Sequence, residues 1–183
     1  MELQEMELPE FPEHFHPEMP MGLRIALMSF VIREINSDFM NRIPEIKKEV
    51  MRNNRNMDGV DAFLYVNDQI KRRTAPYEKF IREKELQMSA TLQNAYELEK
   101  AGQIEGAISL FEKLASDCFT APMPHERLRV LYTKQREYEK AIGVCERYIS
   151  ILNDFHKFDP HFSNIYLVPR FENNIAKLKA KIK

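Results

Sequence analysis

Apolar positions after residue 102 recur at helical spacing: Ile104, Ala107, Ile108, Phe111, Leu114, Ala115 and Cys118 form one stripe of the 3.6-residue period. A shift of 34 residues turns that set into Tyr138, Ala141, Ile142, Cys145, Tyr148, Ile149 and Leu152. Every position stays apolar or aromatic. The same shift carries Leu98 to Tyr132, Glu112 to Glu146 and Lys113 to Arg147. A repeated stripe with a turn before each copy predicts a helix-turn-helix unit present twice. Gly102 stands where the first leading helix should stop, because glycine tolerates the left-handed cap; in the second copy Arg136 takes that place. Ala107 and Ala141 keep the position small where two helices approach closely.

Upstream, Met21 to Ile35 is dense enough in apolar residues for a mostly buried helix, with Arg24 and Arg33 on its wetter side. A second, short helix is expected to open at Pro44 and reach about Arg52, with Ile43, Ile46 and Val50 on one face. Asn53, Asn54 and Asn56 then read as a loop. Asp58 and Asp61 suit the start of a helix from Gly59 to about Arg73, with Val60, Phe63, Leu64 and Ile70 inward. Pro76 is expected to start another helix, carried by Tyr77, Phe80, Ile81, Met88, Leu92, Ala95 and Leu98. At the far end Phe171, Ile175, Leu178 and Ile182 make a stripe whose other face is covered by lysines. The organisation predicted is an acidic, proline-rich extended arm (1–20), an irregular helical region (21–75) and a helical repeat region (76–183) closed by a C-terminal capping helix.

The 34-residue unit resembles the tetratricopeptide repeat family, with copies at about 88–121 and 122–155. The family's small residue, turn glycine, aromatic and alanine positions read Ala95, Gly102, Ile104, Ala107 and Phe111 in the first copy. In the second they read Arg129, Arg136, Tyr138, Ala141 and Cys145. Arg129 and Arg136 depart from the pattern. The resemblance covers about a third of the chain and implies an all-α fold, a fragment of an α-solenoid with flanking helices. Two repeats do not enclose a core, since about three stacked units are usually needed. The flanking helices must therefore complete it, or an exposed apolar end must pair between two chains in a homodimer.

Composition narrows the reading. Only five glycines in 183 residues disfavour sheets and phosphate-cradling loops. A net charge of −1 removes the electrostatic drive of general nucleic-acid binding. The charge is uneven, however: six glutamates and no Lys or Arg lie in residues 1–20, while five bases face Glu172 alone in 170–183. Two widely separated cysteines, Cys118 and Cys145, give no disulfide framework or metal knuckle and read as buried apolar residues. The apolar run Leu23 to Ile32 is about half of the ~20 residues a membrane span requires. The acidic start is unlike a secretory signal. A cytoplasmic protein is expected.

No catalytic or metal motif is present, so neither catalysis nor a cofactor or metal is expected. His14 with His16, and His156 with Asp159 and His161, are close enough in sequence to suggest metal binding. A polar arm and an Asp159-Pro160 turn with inward phenylalanines are the favoured readings. The resemblance implies a peptide groove along the first helix of each repeat, lined by Ser89, Leu92, Tyr96, Glu99 and Lys100, then Met123, Glu126, Val130, Thr133 and Lys134. Glu126 and Arg127, beside Pro124 at the start of the second unit, are added as polar contacts to a partner. The set lacks the family's carboxylate clamp. Leu92, Tyr96, Met123 and Val130 point instead to a partly apolar ligand or to a covering helix. The function expected is a non-catalytic scaffold for a protein or peptide. The alternatives are a nucleic-acid-associated regulator using Arg170, Lys177, Lys179, Lys181 and Lys183 with Lys71, Arg72 and Arg73, or a helical enzyme with a scattered site.

Overall fold

The computed structural model describes residues 19–53 and 59–182. The expectations for residues 1–18, including His14 and His16, for the asparagine loop at 54–56 and for the Asp58 cap lie outside the described residues. The described chain is all-α: α1 (Met21–Asn53), α2 (Gly59–Lys100), α3 (Ile104–Ser116), α4 (Pro122–Lys134), α5 (Tyr138–Phe158), a 3-10 turn (Ser163–Leu167) and α6 (Val168–Ile182).

Two expected boundaries are corrected. Pro44 lies inside α1 and Pro76 inside α2, so neither starts a helix. A proline in a helix interior removes one N–H bond and frees the carbonyl four residues back. Pro44 and Met40, like Pro76 and Arg72, are exposed, so water can satisfy those carbonyls. Long runs without glycine on either side then carry the helix through.

The chain divides into two compact units, one holding Leu27–Arg82 and the other Pro17–Ala26 with Glu83–Lys183. In the first unit, Met28, Ile70 and Thr74 are the buried side chains among the described residues. Thr74 Oγ1 donates to Glu78 Oε1 at 3.1 Å, which satisfies its buried hydroxyl.

The second unit is built from neighbouring helices that pack in sequence order, α3 on α4, α4 on α5 and α5 on α6. Ala95 from α2 joins Ala107, Ile108, Phe111, Leu128, Leu131 and Ala141 in one core. Cys145, Tyr148, Leu152, Leu167 and Phe171 form a second core toward α6. Several positions 34 residues apart are buried alike: Ala107 and Ala141 are both 0% exposed, Ile108 and Ile142 both 8%, Phe111 and Cys145 both 0%; Ala115 and Leu152 are buried where their counterparts Ile149 and Cys118 are half-buried. Ile182 departs from its expected inward stripe and is 50% exposed, because it falls at the last residue of α6, beyond the core.

The turns recur as well. Gly102 takes φ 77° and Arg136 φ 63°. Gln103 N–H reaches back to Leu98 O at 2.9 Å, as Glu137 N–H does to Tyr132 O at 2.8 Å. Gly102 N–H and Arg136 N–H each bond the carbonyl three residues back, both at 3.1 Å. This pair of bonds is the Schellman cap, which satisfies the last carbonyls of a helix. A third such cap ends α3, where Cys118 takes φ 54° and Phe119 N–H bonds Leu114 O at 3.1 Å. Cys118 is therefore a half-buried turn residue and not the last member of the α3 stripe.

Candidate protein-binding face

The expected groove residues fall on α2 and α4, and the structure divides them into two groups. Some are engaged within the protein. Arg127 Nε donates to Glu99 Oε2 at 3.0 Å and its Nη2 to Glu99 Oε1, joining α4 to α2. Glu126 accepts from Arg129 Nη2 at 3.0 Å and lies 2.9 Å from Arg170 Nη2, an ion pair that ties α4 to α6. The Glu99 and Glu126 side chains are each 13% exposed. Glu126 and Arg127 thus act first as struts on the two flanks of α4. Adjacent residues on a helix point about 100° apart, which lets one reach α2 and the other α6.

The Arg129 side chain, where the family resemblance wants a small residue, is 22% exposed and its guanidinium is turned onto Glu126. Thr133 Oγ1 donates back to Arg129 O at 2.6 Å. The Tyr96 and Phe111 rings make a T-shaped pair, centroids 5.6 Å apart. Its buried hydroxyl has no hydrogen-bond partner among the described residues. Burial pushes that phenol's pKa up, opposed by nearby Arg127.

Of the remaining members, Leu92 like Tyr96 packs against the core and is only half-buried, while the others lie toward solvent. Between the two flanks of α4, Met123, Val130 and Lys134 follow one line at i, i+7 and i+11; Met123 is 46% exposed, Val130 half-buried and Lys134 exposed. The same spacing on α2 gives Ser89, Tyr96 and Lys100, with Leu92 half-buried beside them. On α6 it gives Arg170, Lys177 and Lys181, all exposed. Sequence reasoning placed no α6 residue on this face. Position 170 has no counterpart at a 34-residue shift, because α5 extends to Phe158 and displaces the register.

Behind this face a polar lock was also missed. His125, 0% exposed, places Nε2 3.1 Å from Phe119 O in the α3–α4 connection. Tyr148 Oη donates to Thr120 O at 2.8 Å, and Asn164 Nδ2 to the same oxygen at 3.2 Å. The His125 ring stacks on Tyr148, centroids 4.2 Å apart, and Tyr148 in turn meets Phe171 at 4.6 Å. On the other side of the connection, Gly22 N–H donates to Asp117 O at 2.7 Å. A Cβ there would lie 2.2 Å from Cys118 O, so only glycine lets α1 start against this turn.

Cys145 is fully buried and its thiol pKa is pushed up to about 11, chiefly by desolvation; it is not poised as a nucleophile. At His156–Phe162, Asp159 Oδ1 accepts His161 N–H at 2.9 Å and the Phe155 and Phe162 rings meet at 5.5 Å, a closed turn. Among the described residues no group of three His, Cys, Asp or Glu side chains is placed to hold a metal ion. None of the described helices is long and apolar enough to cross a membrane.

Comparison with protein-family models, with curated proteins and with solved structures found no match.

Proposed function

We propose that this chain is a non-catalytic, tetratricopeptide-like interaction module of the cytoplasm that holds a protein or peptide against the outward line of α2 and α4. The observation that carries this reading is the 34-residue recurrence, which extends from buried positions to the caps at Gly102 and Arg136. A helix-turn-helix unit repeated in register sets equivalent helices side by side and leaves a continuous surface between them. Met123, 46% exposed, and the half-buried Leu92 and Val130 supply the remaining apolar area there, which stabilises a complex by about 25 cal/mol per Å² covered.

Capture of partners from the native host with wild-type protein and with a Met123→Glu, Val130→Asp variant tests this reading. Both substitutions sit on exposed or half-buried positions, so the melting temperature should stay near that of wild type. A partner retained by wild type and lost by the folded variant is the expected result. An unchanged set of captured proteins would remove the basis of the proposal.

A further inference from the structure

The charges on this face are not balanced. Its carboxylates are already engaged: Glu99 by Arg127, and Glu126 by Arg129 and Arg170. Three of its cations are not. Lys100, Lys134 and Lys177 are exposed and pair with no carboxylate among the described residues; Lys181 lies 6.0 Å over the Tyr138 ring, and Arg170 remains 63% exposed while touching Glu126. Lys100 and Lys134 occupy the last turns of α2 and α4, and Lys181 that of α6, so three lines of identical spacing each end in a lysine. Helix C-termini favour cations, which explains one lysine per helix. It does not explain Lys177, which sits in mid-helix on the α6 line that Arg170 aims at α4.

From this geometry we infer that the face takes a peptide segment that alternates carboxylates with apolar side chains, the carboxylates meeting Lys134, Lys177 and Lys181 and the apolar groups meeting Met123, Val130 and Leu92. The inference rests on the groove reading above and names the chemistry of its ligand. A basic segment finds no unengaged carboxylate here. A nucleic acid finds no free stacking platform in Tyr96, whose ring packs against Phe111 and the core. An anionic peptide gains long-range attraction from the lysines and register from their spacing.

Selection of a random dodecapeptide display library on the full chain tests this. The expected outcome is enrichment of Glu and Asp interleaved with Leu, Phe or Met. Affinity of the selected peptide should fall roughly tenfold from low to physiological salt. A Lys134→Glu, Lys177→Glu variant should lose about tenfold or more in affinity for that peptide at an unchanged melting temperature. Enriched peptides without acidic bias that still require Val130 would overturn the charge inference and leave the groove standing. Enriched peptides indifferent to both Val130→Asp and the lysine pair, or no enrichment at all, would overturn both. Tighter binding of a single-stranded oligouridylate with the same lysine dependence would replace the peptide by a polynucleotide.

Discussion

His125 is buried with Nε2 against a carbonyl and Nδ1 without a hydrogen-bond partner among the described residues, an arrangement that requires the neutral ring with its proton on Nε2. Desolvation lowers its pKa to about 4; the Phe119 carbonyl opposes the shift and Arg147 adds to it. In an unfolded chain the imidazole titrates near ~6.5. Between these values the unfolded chain binds the extra proton, so this contribution is complete above about pH 6.5 and is lost as pH falls toward 4. The span corresponds to about 3 kcal/mol. His125→Gln keeps an N–H for Phe119 O and does not titrate. Urea unfolding of wild type between pH 7 and 4.5 should therefore lose about 2–3 kcal/mol more than the variant does; parallel losses would show that the ring is not a determinant of acid stability. Gly22→Ala makes a second prediction at this scale. The added methyl meets the Cys118 carbonyl, which is backbone and cannot swing away. A loss of about 1–3 kcal/mol is expected in the same assay, and an unchanged midpoint would mean that α1 does not hold to this turn.

At the scale of elements, the two equivalent caps differ in one respect that can be exploited. Gly102 takes its left-handed φ without strain, whereas Arg136 carries a side chain in the same conformation. Gly102→Ala should destabilise by about 1 kcal/mol, and Arg136→Gly should stabilise by roughly 0.5–1 kcal/mol. Thermal unfolding of both variants checks the signs, and the same sign for both would refute the equivalence. These caps were legible because the apolar stripes on either side fixed the period, so Arg136 was found as a turn although arginine is no turn signal. The prolines misled for the opposite reason. A local signal at Pro44 and Pro76 marked starts, while the decisive fact was that solvent faces the freed carbonyls. The ion pairs were out of reach of pattern reading: Glu99 and Arg127 are 28 residues apart, off the repeat period, and meet only once α2 and α4 are packed. So Glu126 and Arg127, singled out for a partner, also brace the helices, and the α6 line joins the face through the Arg170–Glu126 ion pair.

For the whole molecule, the two units differ in how much they bury. Most buried apolar side chains among the described residues belong to Glu83–Lys183, while Leu27–Arg82 buries Met28 and Ile70 and exposes Met40, Met51, Val60 and Leu64. Local opening free energy tracks buried apolar contact, so amides of Leu27–Arg82 should open at lower cost than those of α3 to α5. Hydrogen exchange on the dilute protein should show peptides from 27–82 exchanging well before those from 104–158. Uniform protection in dilute solution would contradict the division. A homodimer, one of the two solutions expected from the sequence, would cover the exposed Met40, Met51, Val60 and Leu64 of that unit. If a homodimer forms through it, protection across 27–82 rises with protein concentration while that of α3 to α5 stays fixed, and light scattering moves from 21.7 kDa toward twice that mass over the same range. Protection of 27–82 that is independent of concentration, at monomer mass throughout, assigns the apolar surface to solvent and removes the dimer.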